Sequence, residues 1–498
     1  MSRDRRVPYL ELLEQSLVES IIDEAFDVLE RTGVLVENAE GCRLLEDAGM
    51  RVSKRTERGA VISITRGLVE QSLETAPSSV KLYARCTDHE PAITLEQGSD
   101  RVHFNPGSSA PYVFDGRSRK VRSAKTKDLV DFSVVADSLA HIDAQSTAMI
   151  PADVPGAVAD RYRLFLVLRN STKPVVTGTF TMDGLEVMSQ MLVAVRGSEG
   201  ALKERPLAIF STCPSPPLKW SNLTCHDLIH CARAHIPVEI VPAPLAGVSA
   251  PVTLAGTIVQ HTAETLSGLV LGQMAQPGAP MVYGGSPAPF DMRTGTAATA
   301  AIEAMMMCGA CSQIGRHLGL PTQAYLALSD AKMPDAQAGF EAGTGAMLAA
   351  LCGVNLVAGP GMLAFESCQS LEKLVIDNEV CGMAKRLIKG ITPRTTPLAE
   401  DLLQGNIYSA THFLTSPASR RWLREEFFYP GDVLDRDGAD TWAAKGSASA
   451  EQCALRESER ILAGHRPVPL NPDVEGELVR LMNREAAKHG LQRLPVEG

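Results

Sequence analysis

Between positions 330 and 341 stand Asp330, Lys332, Asp335, Gln337 and Glu341, the densest set of reactive side chains in the sequence. A desolvated lysine at the mouth of a barrel can form a Schiff base with a carbonyl substrate, which would make the chain a lyase using Lys332. Asp330 and Asp335, however, flank Lys332 and favour its protonated form, and it stands beyond the nearest apolar strand rather than on it. A structural ion pair that pins the loop is the expected role. A second set consists of aromatic and carboxylate residues dispersed among Gly, Pro, Ser and Ala: Tyr112, Phe114, Asp115, Phe180, Tyr283, Phe290, Asp291, Phe340, Glu341, Phe365 and Glu366. Ring faces attract a cation that can donate no hydrogen bond, each contact contributing roughly 0.5 to 2 kcal/mol, so this mixture suits a quaternary ammonium ion. The small residues around them, Gly284, Gly285, Ser286, Gly339 and Gly361, with Met362, would let backbone approach a large flat ligand, although short turns favour such residues in any case.

Two patterns mimic metal or redox sites. His226 and His230 are four apart, but Asp227 stands where a zinc-protease motif has Glu, and no third ligand is evident. Cys308 and Cys311 spell C-x-x-C inside a helical run of Ala and Met, where packing of small residues is the better reading. We expect no metal site. No Ser/His/Asp triad, P-loop or G-x-G-x-x-G turn is apparent.

The elements that must position these residues alternate strictly. Short apolar strands are expected at Val102 to Asn105, Ala144 to Met149, Pro174 to Gly178, Leu207 to Thr212, Val238 to Pro242, Met281 to Gly284, Gln323 to Leu328 and Asn355 to Gly359. A helical stretch follows each: Lys125 to Leu139, Ala159 to Asn170, Asp183 to Val195, Asn222 to Ala234, Leu254 to Met274, Thr299 to His317, Asp335 to Cys352 and Leu371 to Ile388. Alternation demands parallel strands with crossover helices, and eight units close a (β/α)8 TIM barrel, an α/β fold. Its active site would lie in the loops at the carboxyl ends of the strands, where the two residue sets fall. Residues 1–98 read as a helix and hairpin extension, a lid or oligomer contact; 99–398 as the barrel; 399–498 as helical wrapping. A homo-oligomer is compatible with such extensions.

Bulk properties narrow the partners. The 498 residues carry 48 basic and 58 acidic side chains, a net charge of −10 that disfavours nucleic acid and anionic membrane surfaces. The uncharged run from Ala342 to Ala364 is long enough to raise a membrane span, but its glycines and Pro360 break it into core elements. The opening MSRDRRVPYLELLEQ lacks an apolar signal core, and the 11 cysteines are scattered, so a cytoplasmic chain with reduced thiols is expected.

The stretch LSDAKMPDAQAGFE from Leu328 resembles the signature of the trimethylamine methyltransferase superfamily. FSTCPSPPL from Phe210, YGGS from Tyr283, GPGML from Gly359, LVIDNE from Leu374 and WAAKGS from Trp442 are similar to further landmarks in family order. The resemblance implies a barrel enzyme that moves a methyl group from a methylated amine to the Co(I) of a corrinoid (cobalamin) cofactor, carried by a separate corrinoid protein. The founding members carry pyrrolysine just before the S-D-A-K stretch, a place that Leu328 holds here. That implies the branch without pyrrolysine and a betaine, such as glycine betaine, as methyl donor. On this resemblance Asp330, Asp335, Gln337 and Glu341 are the catalytic candidates. Tyr112, Tyr283, Phe290, Phe340 and Glu366 would face the ammonium group, and Arg293 a substrate carboxylate. Gly284, Gly285, Ser286, Gly339, Gly361 and Met362 would approach the corrinoid. A non-catalytic barrel that binds a quaternary amine or a corrinoid is the alternative of a different class.

Overall fold

The computed structural model describes residues 8–86, 90–96, 101–107, 109–406, 413–491 and 494–495. Ser108 of the first turn lies outside the described residues. The eight expected strands are present in shortened form: β1 His103–Asn105, β2 Gln145–Ser146, β3 Val175–Thr177, β4 Ala208–Thr212, β5 Val238–Ile240, β6 Met281–Tyr283, β7 Gln323–Tyr325 and β8 Leu356–Ala358. The helices follow them: α1 Thr126–Ser138, α2 Ala159–Asn170, α3 Gly184–Arg196, α4 Asn222–Arg233, α5 Leu254–Ala275, α6 Ile302–His317, α7 Ala336–Leu351 and α8 Leu371–Ile388.

All ladders among these strands are parallel, in the orders β6-β5-β4-β3-β2 and β7-β8-β1. Hydrogen bonds cross both seams. Tyr283 N donates to Pro321 O at 2.9 Å and Tyr325 N to Gly285 O at 3.3 Å, while Asp143 N and Ala144 N donate to Phe104 O at 2.8 and 3.2 Å. Helix α5 shows why the layers stack as they do. Its sequence is mostly apolar or small, and from Thr257 to Gln273 it is buried throughout, Gln260, His261, Glu264 and Gln273 included, between the strands and the amino-terminal helix Gln15–Asp27.

The amino-terminal residues divide between a three-stranded unit and a separate hairpin. Strand Val34–Val36 pairs with Ala60–Ser63, which pairs with Arg51–Arg55, and its other edge pairs with Lys219–Trp220 of the β4–α4 connection. A second hairpin, Ser79–Leu82 with Ile93–Glu96, buries Val80, Leu82, Ile93 and Leu95 against Ala144, Val176, Ile209, Val282 and Leu356. Those five residues belong to the parallel strands or immediately precede them, at their amino ends. The hairpin therefore seals the end opposite the loops, because period-2 strands turn these apolar side chains inward where no water can follow.

Two carboxyl-terminal helices lie on the outside. Ala450–Gly464, opened by a capping box of Ser449 and Gln452, packs on α8 and α1; Pro472–Lys488 packs on α2 and α3. Glu485 of the latter is fully buried and accepts from Arg161 at 2.5 Å. All 11 cysteines are free thiols. Among the described residues no helix is long and apolar enough to cross a membrane.

Candidate active site

The inner face changes character along each strand. On β4, Ile209 meets the hairpin, Ser211 is polar, and Cys213 just beyond it is exposed. These alternate residues share one face, so the interior runs from apolar at the hairpin to polar at the carboxyl ends. There Ser211 Oγ donates to Glu239 Oε1 at 2.5 Å, and Glu239 Oε2 has no partner. On β7, Gln323 Oε1 accepts from Gly285 N at 3.1 Å and its Nε2 is unpartnered. Beyond β8, Glu366 accepts from Ser286 Oγ at 3.1 Å.

The electrostatics are dominated by burial. It pushes Glu239 up to about 7 against the lowering bond from Ser211. It pushes Glu366 likewise up to about 7, against Ser286 and with help from Asp330. Crowding by protein, then the charges of Glu239 and Glu366, push the Cys213 thiol up to about 12, so it is no thiolate nucleophile. Among the described residues the arrangement presents acids without a salt-bridge partner and a free amide donor, and its thiol is not activated. It can bind a cation and desolvate it.

Of the expected residues, Glu366 and Ser286 are brought together here. Asp330 closes the adjoining loop instead, accepting from Thr299 Oγ1 at 2.8 Å and Ala300 N at 3.1 Å; burial raises it above the usual range. Glu341 ties the same loop to α7, accepting from Ser329 Oγ at 2.5 Å, Asp330 N at 2.9 Å and Gln337 Nε2 at 2.9 Å. Asp335 is the N-cap of α7, accepting from Ala338 N at 3.1 Å. With both aspartates engaged, the expected pinning ion pair is replaced: Lys332 Nζ donates to Asp330 O at 2.6 Å and stands 3.9 Å above the Phe365 ring.

The expected aromatic cage is not assembled. Tyr112 and Phe340 are exposed, and Phe290 is in a short strand paired with Ala297. Tyr283 is 1% exposed, its hydroxyl 2.9 Å from Thr262 Oγ1, which places the ring inside the wall. Arg293 forks onto Asp291 at 2.7 Å on the surface and pulls that carboxyl down to about 2, so its charge is already matched there. The small residues serve protein packing. A Cβ on Gly285 would lie 1.9 Å from His261 Nε2, one on Gly284 2.7 Å from Gln323 Oε1, and one on Gly361 2.7 Å from Gln369 Oε1. Met362 is buried, its sulfur 1.6 Å from where a Cβ on Gly107 would be, and Gly339 faces open space.

Sequence reasoning passed over Glu239, Gln323, Ser211, Cys213 and Arg163. Glu239 carried a readable signal, an acid between Val238 and Ile240 in a strand with no exposed position. Elsewhere, His226 and His230 stand with ring centroids 6.0 Å apart beside an outer cavity of about 690 Å³. Asp183, Glu485 and His489 cluster closely enough for a metal, but Arg161 already bonds both carboxylates. A groove of about 1190 Å³ between α8 and residues 423–429 opens near His103 and Asp143 at the amino ends of the strands, away from the residues above.

Comparison with known proteins agrees with this architecture. Residues 2–490 match the family model described as trimethylamine methyltransferase (MTTB). A trimethylamine methyltransferase of Desulfitobacterium hafniense is 29% identical over 474 residues, covering 95% of this chain and 94% of that one. A glycine betaine methyltransferase of the same species is 30% identical over 476 residues, covering 95% and 96%. The trimethylamine methyltransferase of Methanosarcina barkeri is 30% identical over 482 residues, covering 95% of each. Among solved structures, the Methanosarcina barkeri monomethylamine methyltransferase superposes with a TM-score of 0.54 at 11% identity, covering 91% of this chain and 89% of that one.

Proposed function

The chain belongs to the trimethylamine methyltransferase family, and from that premise we propose that it transfers a methyl group from a quaternary amine of the betaine type to the Co(I) of a corrinoid carried by a separate protein. The observation that carries this reading is the pair Glu239 and Glu366, acids at the open end of the strands with no salt bridge among the described residues. We read the eight strands as a closed (β/α)8 barrel, supported by the hydrogen bonds across both seams, with extensions at 1–98 and 399–498. Free thiols throughout suit a reducing compartment such as the cytoplasm.

The corrinoid supplies a strong nucleophile for one in-line displacement at the methyl carbon. The N–CH₃ bond breaks, its electron pair stays on nitrogen, and a neutral tertiary amine leaves without needing a proton. The chain's own work is then to hold and orient the ammonium group against Glu239 and Glu366 and to exclude water. Leu328, in the place of the founding members' pyrrolysine, is 2% exposed and packs with Ala300 and Met362, which leaves it no adduct to form. Exposed Val248, Val252 and Met292 on the loops beyond the strands, with Phe340 in the first turns of α7, suit the approach of a protein carrying the acceptor.

The test is a methylation assay with cob(I)alamin and the corrinoid protein over glycine betaine, proline betaine, carnitine and trimethylamine. A betaine is expected to be the best donor. Trimethylamine as the best donor overturns the substrate class, and tight binding without transfer from any donor overturns the enzyme reading.

A further inference from the structure

We propose that Arg163 holds the carboxylate of the methyl donor, which makes it the residue that selects a betaine over an uncharged-tail amine. The proposal rests on the quaternary-amine reading above and deepens it.

Arg163 lies on α2 and is 0% exposed. Its Nε donates to Thr147 O at 3.0 Å, and its Nη2 to Thr147 Oγ1 at 2.7 Å and Ser109 Oγ at 3.1 Å. Those partners follow β2 and β1, and Phe180, whose ring lies 4.7 Å from the guanidinium carbon, follows β3. The guanidinium is thus at the carboxyl ends of three successive strands. Among the described residues it has no ion pair, and Nη1 has no partner.

The nearest acid cannot serve. Asp160 spends its carboxylate on Phe180 N at 2.9 Å, Thr181 N at 3.1 Å, Thr181 Oγ1 at 3.0 Å and Arg161 Nε at 3.1 Å. A buried guanidinium with an idle N–H and no anion is costly to keep, and a fork of that kind matches a carboxylate in shape and charge. Glu239 and Glu366 are bonded to residues of β4 and of the segment after β6, so the carboxyl ends of the strands carry acids on one side and this cation on the other. That division matches a zwitterion with its ammonium and carboxylate at opposite ends. Phe180, 37% exposed, covers one face of the guanidinium and is the side chain that turns aside to admit the ligand.

The test compares glycine betaine with choline, which keeps the trimethylammonium group and replaces the carboxylate by an alcohol. Binding of both to the purified full chain is measured by calorimetry, for the wild type, Arg163→Gln and Arg163→Lys, with melting curves as folding controls. The wild type is expected to prefer glycine betaine, and Arg163→Gln to weaken it by about 30-fold or more while choline changes less than about 2-fold. Arg163→Lys keeps the charge without the fork and is expected to fall between; it decides the matter if the glutamine variant does not fold. Equal weakening of both ligands, or a wild type that does not prefer glycine betaine, overturns the proposal. Methyl transfer from a betaine that is unaffected in Arg163→Gln would sink the role of Arg163 and leave the enzyme reading standing.

Discussion

Ser211 Oγ donates to Glu239 Oε1 at 2.5 Å, and the other oxygen of that buried carboxylate is left without a partner. One bond offsets part of the desolvation and burial outweighs it, so the group sits near 7, far above an ordinary glutamate. Glu366, held by Ser286, reaches the same value for the same reason.

Affinity for a cation should therefore depend on pH in a specific direction. Below 7 both groups are largely protonated and neutral; above 7 both carry charge. Binding of glycine betaine is expected to tighten as pH rises from 6 to 8, and Glu239→Gln or Glu366→Gln to weaken it at pH 8 more than at pH 6. Stability of the free protein runs the other way. The folded pKa lies above the unfolded value, so these groups' contribution is fully present below about 4.5 and lost as pH rises through about 7. Calorimetric titrations and melting curves across this range check both signs. A flat affinity profile would remove these carboxylates from the binding site.

Gly285 and His261 offer a packing test. A Cβ at position 285 would be 1.9 Å from His261 Nε2, on a ring that is itself fully buried. Burial pushes His261 down to about 3, so the ring is neutral at any working pH and there is no charge to complicate the contact. Gly285→Ala is expected to destabilise by about 1–3 kcal/mol, the usual cost of overpacking. Adding His261→Ala should recover part of that loss, because it empties the space. Urea unfolding of the two variants and the double mutant measures the coupling.

The alternation of strands and helices was legible because fully buried strands read as short apolar runs and helices as longer ones, and α2 and α8 have the very limits expected. The site was less so. The segments between the expected strands and helices suggested Tyr112, Phe340 and Arg293, and all three face solvent, Tyr112 from a short strand and Phe340 from α7. Glu239 and Arg163 sit inside regular elements, where an inward and an outward side chain look alike until the register is known. Loop composition does not reveal which side chain is already committed. Asp335 is spent on capping α7 and Arg293 on Asp291, and both facts depend on backbone geometry.

Lys332 separates methyl transfer from imine chemistry. Its ammonium donates to Asp330 O at 2.6 Å and lies over Phe365, a cation's environment rather than that of a neutral nucleophile. Lys332→Met is expected to keep kcat for methyl transfer within about 3-fold, with a loss of about 0.5–1 kcal/mol in stability from the missing cation–π contact. Borohydride with a carbonyl compound should leave no adduct on the wild type. A trapped adduct at Lys332, seen by peptide mass, would return the lyase reading to first place.

The hairpin Ser79–Leu82/Ile93–Glu96 couples stability to the site from the opposite end. Leu82 and Leu95 are both 0% exposed and pack in the same cluster as Ile209 and Val176 of the parallel strands. A detachable lid would tolerate Leu82→Ala with little loss. A plug in the interior should lose about 2–5 kcal/mol, the cost of a cavity in a packed core. The second consequence is electrostatic. Ile209 is two residues before Ser211, the partner of Glu239, so water entering below would ease the burial that raises that carboxyl. Leu82→Ala is therefore expected to move the midpoint of pH-dependent betaine binding below 7 as well as lower the urea midpoint. An unchanged midpoint with reduced stability would show that the plug supports the fold without keeping the site dry.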